Sequence, residues 1–293
     1  DQLVRLLREW LELDRSEITA KDIAFYPTYE VYGALFARES RDFIAAVLDA
    51  DAPANGSDLQ QLMAADWTVA DPLLAEFYAA QPRADGRLTL SARRGILNQG
   101  AFLAVHAHAY ESSPVLRGAA IARRVVCLPV PDPSTLGIRV MAPPTDPSLS
   151  TRQRFSAHTA DPSCAQCHKT IDSFGDAFEA FDGMGALRQL DNEVPVDSST
   201  DIAIGADFDG HYSDSNTLAL ALAHSPRVEE CFARYLFRAA SARSPDSEHV
   251  AAGASEDAFI DEWRALPEQA RGNVVDTLAL FVTSRLFSQR RSE

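Results

Sequence analysis

The chain has 293 residues and a mass of 32.0 kDa, with 46% apolar and 24% charged residues, a globular composition long enough for two or three small units. Its 27 Lys and Arg stand against 42 Asp and Glu, a formal charge of -15 that repels phosphate and argues against nucleic acid as a partner. No apolar run approaches the roughly 18 residues of a membrane span, and the first residues lack the basic start and apolar core of a signal peptide.

The opening Leu3, Leu6, Leu7, Trp10 and Leu11 fall at the i, i+3, i+4, i+7 spacing of a helix with one buried face. Thr28 precedes a second helical run through Tyr32, Leu35, Phe36, Phe43, Ile44, Val47 and Leu48, which stops at the loop from Asp51 to Ser57. Asp71-Pro72 has the chemistry of an N-cap and first helical position, and the pattern it opens ends at Gln81-Pro82. This predicts an all-helical unit over residues 1–86, closed by a polar linker at 83–88.

Helical stretches are expected from Arg94-Gly95 and from Ser113-Pro114, the second reaching Cys127. Residues 128–147 are rich in proline, which forbids regular helix and favours an extended strap over the surface. A short helix from Thr151 to His158 leads into Cys164, and Asp191 to Asn216 reads as turns with short β-like pieces. Two last helices follow, Leu218 to Ala242 and Glu256 to Phe287, the latter interrupted at Pro267. The expected architecture is mainly α. A helical N-terminal unit precedes a cytochrome c-like haem unit at 87–190 with its proline-rich strap, and a mostly helical C-terminal unit covers 191–293.

The run Cys164-Ala165-Gln166-Cys167-His168 carries the chemistry. Two thiols followed at once by an imidazole are what covalent haem c requires: thioethers to the two vinyl groups and an iron ligand on the same side. On a helical turn the i, i+3 and i+4 side chains project together, so Cys164 and Cys167 are the expected attachment points and His168 the proximal iron ligand. A redox-active dithiol wants a preceding strand in a βαβ unit, a zinc site wants a second cysteine pair, and a bridge across three residues closes a strained loop. The Pro-, Asp- and Ser-rich approach to Cys164 is not such a strand, and no second cysteine pair stands at finger-like spacing, so these are the minor readings.

The distal ligand is not set by spacing. Met184 lies between glycines in Phe181-Asp182-Gly183-Met184-Gly185, where backbone can approach a porphyrin, though a core-filling Met is an equal reading; Met141 and Met63 are further candidates. His158, six residues before Cys164, can reach over the ring, bond a propionate, or act as a helix C-terminal cation; His106 and His108 read as polar residues near a helix end. An open sixth site implies chemistry on a small ligand, a closed one electron transfer. Among Asp172, Asp176, Glu179 and Asp182, at near-helical spacing, most read as a solvated face, and Arg188 can pair with one of them or with a propionate. The stretch from Asp197 to Asp214 has carboxylates for calcium but lacks the EF-hand ladder, and turn chemistry is the favoured reading. Haem c attachment goes with export to an oxidising compartment, which makes Cys127 and Cys231 the natural disulfide pair; two buried free thiols are the alternative.

Taken together, Arg94-Gly95-Ile96-Leu97-Asn98-Gln99-Gly100, Ser113-Pro114-Val115-Leu116-Arg117-Gly118, Cys127, His158, Cys164-Ala-Gln-Cys167-His168-Lys-Thr-Ile-Asp172 and Phe178-Glu179-Ala-Phe181-Asp182-Gly-Met-Gly185-Ala-Leu-Arg188 resemble the planctomycete-type cytochrome c family. These are exported bacterial proteins of several domains with one haem motif. The resemblance covers nearly the whole chain and implies that Cys127 and Cys231 pair and that His158 belongs to the haem pocket. It also implies that residues 1–293 form the C-terminal portion of a longer or split protein, a second chain supplying the missing part. The chain departs from the family at Asp172-Ser173-Phe174-Gly175-Asp176-Ala177, where Asp-Pro-hydrophobic-Gly-Phe-Ala is usual, and at Met184, where an aliphatic residue is common.

The expected function is therefore electron transfer through one covalent haem c, with a redox partner protein, in the periplasm or outside the cell. Two other readings stay open. One is a haem enzyme, a peroxidase or oxygenase acting on an organic or polymeric substrate; the other is an assembly protein in which haem is structural.

Overall fold

In the computed structural model, which describes residues 2–49, 56–131, 135, 143–158, 162–241 and 254–284, the N-terminal apolar spacing forms α1 (Gln2–Trp10), with Leu7 and Trp10 buried. Helix α2 (Tyr29–Val47) follows Thr28 and buries Tyr29, Phe36, Phe43, Ile44 and Val47. Ser57 and Gln60 form a reciprocal capping box at the start of α3 (Asp58–Ala64). The Asp71 carboxylate accepts the Leu73 N–H at 3.0 Å to open α4 (Pro72–Phe77), with proline in the first turn where its missing donor costs nothing.

The first unit is not all-helical. Strands β1 (Trp67–Thr68), β2 (Gln81–Pro82) and β3 (Leu88–Thr89) form an antiparallel sheet in the order β1-β3-β2. Residues 83–87 of the expected linker are the turn of the β2–β3 hairpin, with Gly86 at φ 80°, and Leu88 begins β3. Pairs of residues this short carry no periodicity, so only tertiary pairing reveals them.

At Gly95, φ is 62° and a Cβ would meet the Met63 carbonyl, so the chain turns before it coils. Instead of one helix from Arg94 there is a 3₁₀ turn, Ile96–Asn98, and then α5 (Gly100–Val105), every residue of which is buried. Ser113 caps α6 (Pro114–Ala120), which loosens into a π-turn at Ile121–Val125 before Cys127. Helix α7 (Thr151–His158) has the expected limits and leads to α8 (Pro162–Asp176). Half of the proline-rich strap, residues 132–134 and 136–142 with Met141, lies outside the described residues.

The turn-rich segment holds two hairpins, β4 (Leu190–Asp191) with β5 (Val194–Pro195) and β6 (Thr200–Ile202) with β7 (Gly210–Tyr212). The expected helix from Leu218 to Ala242 is two, α9 (Ser215–Ala223) and α10 (Pro226–Ala240). Ser225 accepts the Val228 N–H and Pro226 cannot donate, so the pair ends one helix and starts the next. Three helices, α11 (Ala254–Arg264), α12 (Glu268–Arg271) and α13 (Val274–Thr283), occupy the last run, broken at Pro267; residues 285–287 lie outside the described residues.

The described chain is thus mainly α. One buried cluster runs from Leu7 and Trp10 through Phe36, Phe102, Phe174 and Phe178 to Leu222, Phe232 and Val274, so the three expected units share a core. A smaller cluster of Phe237, Phe259, Trp263 and Phe281 binds α10, α11 and α13 together. Cys127 and Cys231 are joined by a disulfide across 104 residues, tying the end of the π-turn to α10. No described helix is long and apolar enough to cross a membrane.

Candidate functional site

Helix α8 is the scaffold of the cysteine motif. Its C-terminal half is anchored by Ile171, Phe174 and, just past its end, Phe178, the i, i+3, i+7 stripe that enters the main core. Helix α6 lies against it without intervening side chains: a Cβ on Gly118 would meet the Ile171 carbonyl oxygen at 1.9 Å, and one on Gly175 the Pro114 carbonyl oxygen at 1.7 Å. Only glycine permits backbones to approach so closely.

Below that contact, Arg117 is fully buried and acts as a clasp. Its Nη1 donates to the carbonyls of Phe178 (2.9 Å) and Phe181 (2.7 Å), and its Nη2 to those of Leu103 (3.2 Å) and Asp182. Burial pulls the guanidinium down to about 10, with Glu179 opposing. Glu179, itself buried and pushed up by desolvation, accepts from Ser112 and Arg188. Arg188 spends Nε on the Glu179 carbonyl, Nη1 on Asp191 at 2.8 Å, and Nη2 on Ser112 and Glu179. Each of its three nitrogens therefore has a protein partner.

Arg152 on α7 pairs with Asp176 at 3.3 Å and with Asp197 at 3.2 Å. Burial, opposed by Arg152, pushes the Asp176 carboxyl up to about 7. The first half of α8 is more open than the second. Cys164 is half-buried, Cys167 exposed, and His168 has 26% of its side chain exposed. Spacing of i, i+3 and i+4 on one helix brings the two thiols and the imidazole to the same side. His168 Nδ1 lies 3.1 Å from Asp172 Oδ1, one turn further on. A carboxylate only accepts, so Nδ1 donates, and in the neutral imidazole the lone pair is then on Nε2. Two sulfur nucleophiles and an imidazole with Nε2 available form a donor set of the chemistry that haem c requires.

The other candidates are dispersed. Met184 is buried in a turn whose Asp182 Oδ1 accepts the N–H groups of Met184 and Ala186, and Met63 lies wholly inside the core. His158 closes α7, and its side chain lies outside the described residues. His106 is a core residue: its Nε2 is 3.2 Å from the Leu11 carbonyl, its ring stands against Phe102, and burial takes it down to about 4. His108 stacks on Tyr110 and Phe155 and is lowered by burial. In the segment considered for calcium, Asp197, Asp209 and Asp214 receive backbone N–H groups as turn and helix caps; among the described residues no group of three or more metal-binding side chains occurs.

Sequence reasoning left two features unassigned. Arg117 has no local signal, since its four carbonyls come from two stretches remote from it in sequence, Leu103 and residues 178–182. A cavity of about 410 Å³, lined by Ser16, Lys21, Tyr26, Tyr29 and Glu30 among others, borders the Met184 turn, because the Tyr26 hydroxyl accepts the Gly183 N–H at 3.0 Å. Burial brings Lys21 in its wall down to about 7; none of the motif residues lines it.

With this geometry in view, residues 93–191 match the family described as PSCyt3, protein of unknown function (DUF1588), and residues 1–79 match PSD4, protein of unknown function (DUF1592). Both are domains of planctomycete cytochrome c proteins. The PSCyt3 match contains α5 to α8, the cysteine motif, Arg117 and Arg188, and ends at β4; the PSD4 match runs from α1 through α4. No curated protein and no solved structure matches the chain.

Proposed function

We propose that the chain is a c-type cytochrome that passes electrons to a redox partner protein through one haem c. The observation that carries this reading is the placement of Cys164, Cys167 and His168 on one turn of α8, with Asp172 holding His168 Nδ1 at 3.1 Å. Cys164 and Cys167 anchor the group by thioether bonds, and His168 presents Nε2 to the iron. Haem c, when bound, supplies a one-electron ferric/ferrous couple. The protein's part is to hold the ring on a helix that cannot slide, because Arg117 and the α6–α8 contact fix its far end.

The Cys127–Cys231 disulfide supports an oxidising compartment, and with the haem reading that compartment is the periplasm or the cell exterior. His158 and Met184 remain the proposed distal residues. Arg188 is proposed to border the pocket as part of its supporting network, because its donors already serve Glu179, Asp191 and Ser112.

Intact mass and a pyridine haemochrome spectrum of native protein test the reading. One covalent haem is expected, lost in the Cys164→Ser/Cys167→Ser double variant while the Cys127–Cys231 bridge persists. A wild-type chain of unmodified mass would remove the proposal. Carbon monoxide separates carrier from enzyme: a reduced spectrum indifferent to it supports the carrier, and a shifted one transfers the assignment to a haem enzyme with an open sixth site.

A further inference from the structure

Asp172 is poorly explained as a helix-stabilising residue. It sits in the last turns of α8, which ends at Asp176, where the negative end of the helix dipole disfavours a carboxylate. In its pair with His168 the basic group precedes the acid by four residues, the weaker of the two orientations for helix support. Yet Asp172 Oδ1 is held 3.1 Å from His168 Nδ1, and its side chain is only 17% exposed, so water screens the pair incompletely.

Resting on the haem reading above, we infer that Asp172 is a positioning residue for the proximal ligand, one that fixes the His168 tautomer and biases the bound iron toward its oxidised state. The geometry supplies both effects. By accepting the Nδ1 proton, the carboxylate selects the tautomer of the neutral ring in which Nε2 carries the lone pair, and it hinders rotation about the Cβ–Cγ bond. Its negative charge draws that proton and enriches the imidazole in electron density, which stabilises ferric iron more than ferrous. Cys164 and Cys167 would hold the haem, and Asp172 would hold the orientation of the His168 imidazole that ligates it. Both are set by positions 164, 167, 168 and 172 on a single helix, so the arrangement depends on no loop.

Potentiometric titration of the haem-loaded wild type, Asp172→Asn and Asp172→Glu tests this, with the NMR shift of the His168 Nδ1 proton in the reduced protein as a second readout. Asparagine retains an acceptor for Nδ1 but removes the charge. It is expected to raise the midpoint by about 59 mV, a tenfold change in the reduced-to-oxidised ratio at fixed ambient potential, and to move that proton upfield. Glutamate, which keeps the charge, is expected to restore at least half of the shift. The wild type by itself is expected to show the downfield, slowly exchanging Nδ1 proton of a carboxylate-bonded imidazole, a result that needs no variant to fold. Haem-loaded variants with unchanged midpoint and proton shift, or a wild-type Nδ1 proton in rapid exchange with water, overturn the role of Asp172 and leave the haem assignment standing. A wild type without covalent haem overturns both.

Discussion

Glu39 shows how one buried acid writes a pH dependence into the fold. It is sealed in the core, where desolvation pushes it up to about 7 against the pull of hydrogen bonds from Tyr78 (2.7 Å) and Thr68 (2.8 Å) and of the nearby Arg93. Between about 4.5 and 7 the native state holds a proton that the unfolded chain has released, so this residue's contribution makes stability fall as pH rises through that window. Glu39→Gln is expected to flatten that part of the urea-midpoint profile, removing up to about 3 kcal/mol of pH-dependent change. An unchanged slope in the variant would assign the dependence elsewhere, Asp176 being the next candidate, also near 7. At this scale the placement of Cys164, Cys167 and His168 on one side of a helix was legible, because i, i+3 and i+4 spacing sets it. The His168–Asp172 pair was half legible: the i, i+4 interval stands in the sequence, but a run of acids reads as a solvated face until the distance is known. Arg117 was illegible as a clasp, because Leu103, Phe178, Phe181 and Asp182 meet only after folding.

Among elements, the α6–α8 contact decides where the motif sits. Gly118→Ala and Gly175→Ala each place a methyl against a carbonyl oxygen of the facing backbone, which cannot rotate away as a side chain would. Each is expected to destabilise by about 1 to 3 kcal/mol, the usual cost of overpacking, and, on the haem proposal, to lower the yield of haem-attached chain; denaturation midpoints and haem-to-protein ratios check both. Helix starts were readable where the cap is a local signal, as at Asp71-Pro72 and Ser113-Pro114. The break at Ser225-Pro226 carries the same signal but sits inside a long apolar run that masks it. The 3₁₀ and π turns and the two-residue strands were hidden because distant backbone, such as the Met63 carbonyl at Gly95 or the β1–β3 pairing, creates them.

For the whole molecule, the disulfide is the longest covalent tie. Removing a crosslink over 104 residues restores entropy to the unfolded chain, and Cys127→Ser/Cys231→Ser is expected to cost about 2 to 5 kcal/mol in denaturant unfolding. A change below about 0.5 kcal/mol would mean that the bridge imposes compensating strain in the native state. The mainly α class was readable from composition and periodicity. The continuity of one core from Leu7 to Val274 was not, since it depends on which faces meet.

That bridge also sets a problem of maturation. In a chain emerging from its N-terminus, Cys127 encounters Cys164 and Cys167 before its native mate exists. An oxidant pairing thiols in order of appearance joins Cys127 to Cys164 and Cys167 to Cys231, which consumes both porphyrin anchors. Productive assembly on the haem reading therefore requires a reductant or isomerase acting on nascent material, and expression in a host lacking that activity should yield colourless, misbridged product.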